Sequence, residues 1–217
     1  MFNMKLWLTA FVTVIFLSGC YHNQFEYRPS EQLVHDEDGA LTMRITYQYD
    51  FRGNLIKNIG YDNHNTAIFF TELVYNADGL LAKEIIKDTQ YLNNIISGEY
   101  DFITTYEYDA DNNIIKSFDL LKNGEITGYS LFTFENDQIM IIEHYDADNT
   151  ILDARFIKYD HNGRRTNTQN EKDEIISWRE YGKNNLLEKV HFRNGRSRAF
   201  IWEKKTTRYN QDMYISY

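Results

Sequence analysis

One nine-residue pattern constrains this chain more than anything else in it. Tyr49-Asp50-Phe51-Arg52-Gly53-Asn54-Leu55-Ile56-Lys57 recurs as Tyr75-Asn76-Ala77-Asp78-Gly79-Leu80-Leu81-Ala82-Lys83 and again as Tyr108-Asp109-Ala110-Asp111-Asn112-Asn113-Ile114-Ile115-Lys116. Weaker copies begin at Tyr61, Leu121, Phe134, Tyr145, Tyr159, Tyr181 and Phe192. Many of these starts lie roughly a dozen residues apart, the length of one strand plus one tight turn. The spacing predicts about twelve antiparallel strands joined in sequence.

Each copy also carries its own turn chemistry. The Asp or Asn after the aromatic can accept hydrogen bonds from amides further along the turn, and the later Gly or Asn tolerates the left-handed backbone of a type I turn with a bulge. The Tyr before the turn and the apolar residues after it become cross-strand neighbours that close the hairpin. Around the first copy, Leu41-Thr42-Met43-Arg44-Ile45-Thr46-Tyr47-Gln48-Tyr49 alternates apolar and polar, so one strand face is buried and the other is wet. Composition agrees, with 17 Tyr, 14 Phe and a single proline at Pro29. The expected fold is all-β: sequential antiparallel hairpin repeats forming a curved meander or a partly closed sheet.

Before the repeats comes a different kind of segment. Met1 to Lys5 form a short positive region, Leu6 to Leu17 an apolar one, and the run ends at Leu17-Ser18-Gly19-Cys20, which holds the only cysteine. A membrane-spanning helix needs about 20 apolar residues, so this stretch reads as a targeting signal. From Tyr21 to about Gly39 the chain is polar and lacks sustained periodicity, as a tether would. The expected division is therefore a signal peptide over 1–19, a modified cysteine and tether over 20–40, and the repeat domain over 41–217.

Leu17-Ser18-Gly19-Cys20 resembles the lipobox of bacterial lipoproteins. That resemblance implies cleavage before Cys20, a diacylglyceryl group on its thiol, and acyl chains that hold the protein on a membrane. With Tyr21 after the cysteine it also implies the outer membrane, if the host is Gram-negative. A mature chain of this kind has no thiol left for disulfides or metal sites. The repeats, in turn, resemble the YD repeats of RHS and teneurin-like proteins, with Tyr49 to Ile56 matching the core fully and the copies at Tyr75, Tyr108, Tyr145 and Tyr159 matching with substitutions. Family members curl their hairpins into a long sheet around a cargo; the copies here are too few for a large shell.

The residues point to no catalytic centre. His22, His35, His64, His144, His161 and His191 are scattered, and no HExxH, Gly-x-Ser-x-Gly or phosphate loop occurs. The acidic turns lack the bidentate Glu of a calcium loop, and read as turn formers rather than ion ligands. A net charge of −9 argues against nucleic acid. No metal or cofactor is expected beyond the lipid on Cys20.

Two surface features remain. The end of the chain is basic, and Arg193, Arg196 and Arg198 with Trp178 and Trp202 are the candidate binding surface, toward anionic lipid or an acidic partner; pairing with acidic neighbours along an edge is the competing reading. The tyrosines Tyr47, Tyr49, Tyr61, Tyr75, Tyr106, Tyr108, Tyr145, Tyr159 and Tyr181 could stack on sugars or pack beside the turns. The expectation is a non-enzymatic lipoprotein of the cell envelope, acting as a binding or scaffold module. The alternatives are a cell-wall or glycan-binding protein and an immunity or accessory factor of an RHS-type toxin.

Overall fold

The computed structural model describes residues 27–88, 102–136, 138–182 and 185–204. Fourteen strands follow one another: β1 Tyr27–His35, β2 Leu41–Tyr49, β3 Leu55–Asp62, β4 Ala67–Tyr75, β5 Leu81–Asp88, β6 Phe102–Tyr108, β7 Ile114–Leu121, β8 Ile126–Glu135, β9 Gln138–Asp146, β10 Ile151–Tyr159, β11 Arg165–Gln169, β12 Ile175–Tyr181, β13 Leu187–Phe192 and β14 Ser197–Lys204. Every neighbouring pair is antiparallel, and β1 also pairs with β14, so the sheet is a closed barrel. The sequence led us to expect an open meander or partly closed sheet, and this closure overturns that expectation. The physical reason is β1. Their polarity and Pro29 give residues 27–35 the look of a tether, yet they supply the strand that joins both ends. Pro29 cannot donate to a ladder, and it sits where the β1–β14 register shifts between Pro29 and Glu31.

The turns form as their residues dictate. In the hairpin after β2, the Asp50 carboxylate accepts the amides of Arg52 at 2.9 Å and Asn54 at 2.8 Å, while the Gly53 amide donates to the Asp50 carbonyl at 3.0 Å. The same bonds recur around Asp62, Asn76, Asp109, Asp146, Asp160 and Asn170. The fourth turn position has positive φ whether it is Gly53 (88°), Gly79 (81°), Asn112 (67°) or Asn149 (64°), which is why Gly and Asn alternate there.

A second regularity ties the hairpins together. Tyr49, Tyr75, Tyr108, Phe134, Tyr159, Tyr181 and Trp202 stand at or near the ends of the even-numbered strands. The hydroxyls of Tyr49, Tyr75 and Tyr108 donate to the carbonyls of Pro29, Leu55 and Leu81 at 2.7, 2.8 and 2.7 Å. Those of Tyr159 and Tyr181 donate to Ile139 and Arg165 at 2.9 and 2.8 Å, and Trp202 Nε1 donates to Leu187 at 2.7 Å. Each acceptor lies near the start of the preceding odd-numbered strand, so each aromatic closes its own hairpin and clamps the strand before it. Phe134 holds the equivalent place on β8 without a donor group, and it packs, as Ile114 of β7 does, against the cluster of Phe132, Ile139, Ile142 and Ile157.

Close packing also singles out glycine within the strands. Gly60 pairs with Phe69 across β3 and β4, and the Phe69 ring covers it so that an added Cβ would collide.

The aromatic clamp gives a direct test. Tyr75→Phe should lower stability by about 1 kcal/mol, the net worth of one such hydrogen bond, and Phe134→Tyr should recover a similar amount by supplying the missing donor toward β7. Urea denaturation of the two variants beside the parent measures both.

Candidate interaction surface

Alternation sorts each strand into an inward and an outward row. Inward lie Ile45, Tyr47, Leu55, Phe69, Leu73, Leu81 and Tyr106 of β2 to β6, and Phe132, Ile139, Ile142 and Ile157 of β8 to β10. A buried polar belt accompanies them, including Gln32, Asn58, Thr71, Glu84, Ser117, Ser130 and Thr168. The Tyr47 hydroxyl donates to Gln32 Oε1 at 2.7 Å.

Inward arginines gather on one side, where Asp153 of β10 pairs with Arg155 at 2.6 Å. Glu84 and Asp119 lie on β5 and β7, whereas Arg155, Arg165, Arg179 and Arg198 lie on β10, β11, β12 and β14. Burial, reinforced by Asp119, pushes the Glu84 carboxyl up to about 8, against the opposing pull of the Tyr106 hydroxyl. Asp119 is raised by the same burial and accepts from Thr104 Oγ1 at 2.9 Å. Burial, then Arg155, pushes His144 down to about 4; its Nδ1 lies 2.8 Å from Ser130 Oγ. Arg165 falls to about 9 through burial and the neighbouring Arg179 guanidinium. Its Nη2 donates to Thr168 Oγ1 at 2.8 Å. Among the described residues no group of three His, Cys, Asp or Glu side chains could hold a metal ion.

The outward row is charged at mid-strand. Lys57 and Lys87 place their ammonium groups 4.4 and 5.3 Å from the centre of the Phe70 ring, and Lys87 pairs with Glu72 at 3.5 Å. Lys116 sits 4.4 Å from the centres of both the Phe118 and Tyr129 rings, and Tyr129 stacks on Tyr145 at 4.8 Å. A barrel that crosses a bilayer carries an outward apolar band about 25 Å tall. Here cations and carboxylates alternate with exposed apolar residues such as Val74 and Leu152 on the outer wall.

The residues singled out from sequence do not form one surface. Trp178, Arg193 and Arg196 lie outside. Trp178 stacks on His191 with centroids 4.9 Å apart and planes within 7°, and Arg193 Nη1 donates to Glu174 Oε2 at 2.5 Å. Arg193 and Arg196 flank the turn between β13 and β14. Arg198 instead pairs in register with Val190, a buried residue of the inner row, and burial lowers its pKa. Trp202 is the clamp on Leu187. Alternation along β14 carried the warning, since Ser197 and Arg198 must face opposite ways. Cys20 lies outside the described residues.

The tyrosines divide likewise. Tyr47 and Tyr106 are buried and Tyr49, Tyr75, Tyr108, Tyr159 and Tyr181 form the inner clamps, while Tyr61 lies under the Arg44 guanidinium, 4.5 Å from the ring centre, and Tyr145 stacks outside. A sugar platform built from the whole ladder is therefore replaced by two separate outer patches, at Tyr129–Tyr145 and at Trp178–His191.

No family model matches the chain, and no curated protein matches it. Among solved structures it is similar to a porin-like protein from Bacteroides uniformis, at 9% identity over 81% of this chain and 98% of that one, with a TM-score of 0.45. It is also similar to a chain of TcdB2-TccC3, at 10% identity over 70% of this chain, with a TM-score of 0.23; there it spans only 13% of the other chain's length.

The buried Glu84 sets a pH dependence. Its folded pKa lies above the unfolded carboxylate value, so its contribution to stability is fully present below about 4.5 and is lost as pH rises toward about 8. Glu84→Gln should flatten the fall in melting temperature between pH 5 and pH 9 and raise it by several degrees at the alkaline end, as read by calorimetry across that range.

Proposed function

We propose that this chain is a lipid-anchored, non-catalytic binding module of the bacterial cell envelope, held by Cys20 and recognising a partner through the outer face of its last hairpins. The Trp178–His191 stack carries this reading. Trp178 is 42% exposed on the outer wall, and a large aromatic held flat by a neighbour is already ordered, so little entropy is lost when a partner covers it. Glu180 Oε1 lies 2.8 Å from His191 Nε2, which steadies the platform. Arg196 at the adjoining turn and the Arg193–Glu174 ion pair rim the platform with charge, favouring a partner with a polar rim around an apolar or aromatic centre.

A second reading follows from the same indole. A flat exposed Trp also suits a sugar ring, and an envelope location would bring cell-wall glycan within reach. The outward Tyr129–Tyr145 pair gives this reading a second platform on another side of the barrel.

Cross-linking in intact cells separates the two. The parent should capture a defined envelope protein, and capture should fall at least tenfold in both Cys20→Ser and Trp178→Ala. Undiminished capture by Trp178→Ala would remove the platform from the reading. Quenching of Trp fluorescence by peptidoglycan fragments, lost in Trp178→Ala, would replace the protein partner with a glycan.

A further inference from the structure

The position of β1 relative to Cys20 decides which end of the barrel meets the membrane. Only seven peptide links separate Cys20 from Tyr27, the first residue of β1, so the anchor reaches at most about 25 Å from that point. The tether expected from sequence was far longer. β1 starts at the rim where β14 ends, since Tyr27 pairs with Lys204. The turn after β2 is at the same rim, because the Tyr49 hydroxyl reaches the Pro29 carbonyl.

That turn carries Phe51, which is 93% exposed, the most open large apolar side chain among the described residues. The Arg52 guanidinium lies 5.3 Å from its ring centre. The neighbouring strand ends add Ile56, Val74 and Ile115, all exposed. The opposite rim has exposed apolar residues too, Leu152 among them, so hydrophobicity alone does not choose an end. Tether length does, because a nine-residue strand places the far rim up to about 30 Å further away.

We infer that the rim bearing Phe51 is a lipid-contacting face: Phe51 inserts among the headgroups of the bilayer that holds Cys20, with Arg52 reaching back to the phosphates. An aromatic with an adjacent arginine fits that boundary, the ring taking the apolar side and the guanidinium the polar one. The far rim and the Trp178 platform are thereby turned away from the lipid. This inference rests on the lipid anchor proposed above, and its test keeps the two apart.

An acylated Cys20 leaves the mature protein without a thiol, so one introduced cysteine takes a fluorescent label at one site only. Phe51→Cys and Leu152→Cys, each labelled with an environment-sensitive dye, are purified from membranes as the lipidated full-length protein and reconstituted into phosphatidylcholine vesicles containing doxyl-labelled lipid. One label per chain, with at least twofold quenching at position 51 and little at position 152, is the expected result. Equal quenching at both positions would describe a barrel lying on its side, and no quenching at position 51 a rim held clear of the lipid; either overturns the inference while the anchor stands. Two labels per chain would show Cys20 unmodified and sink the anchor with it.

Discussion

The barrel depends on a bond that joins one hairpin to the next. A ladder of β-hairpins has no inherent reason to hold a common curvature, because each turn closes only its own two strands. Here an aromatic at the end of each even-numbered strand reaches past its hairpin, and six of the seven donate to a carbonyl at the start of the preceding strand. The aromatic body fills the inner layer while its polar tip satisfies the backbone. Repeated around the sheet, this fixes the angle between successive hairpins on the inner side, where curvature is set.

Closure follows once that angle is repeated often enough, provided the last strand finds the first. Near its end β14 carries Trp202 in place of tyrosine, and its indole makes the same clamp to the start of β13. β1 offers its own carbonyl at Pro29 to Tyr49 and one edge to β14. Among the described residues the closed sheet has no free edge strand to pair with another chain. The inner row can then hold an apolar core beside groups that are costly to bury, among them Glu84 and Arg165, while the outer row stays charged.

The same arrangement divides the functional groups by side and by end. Groups that binding would require to be accessible lie on the outer wall, where Trp178 and His191 stack above the charged turn at Arg193. The rim where β1 begins is a few residues from the proposed anchor, and under that proposal the opposite rim and the last hairpins face away from the lipid. With the proposed anchor in place, barrel and platform would form a short arm whose effective concentration is raised near a partner in the same membrane.

Much of this was legible in the residues. The Tyr-Asp-x-x-Gly-Asn pattern determined the hairpin, its turn type, the left-handed position filled by Gly or Asn, and the pairing of Tyr49 with Leu55, because all of these are local interactions within nine residues. What the sequence left open depended on partners distant in the chain. β1 looks like a tether until β14, some 170 residues later, lies beside it, and Pro29 disguises it further. Arg198 looks like part of a basic surface until the barrel closes and the side opposite Ser197 becomes the interior. Trp202 looks like an exposed anchor until Leu187 is placed beneath its indole. Short-range chemistry writes the strand and the turn into the sequence; which face is inside, and whether the sheet has ends, is decided only when the first strand meets the last.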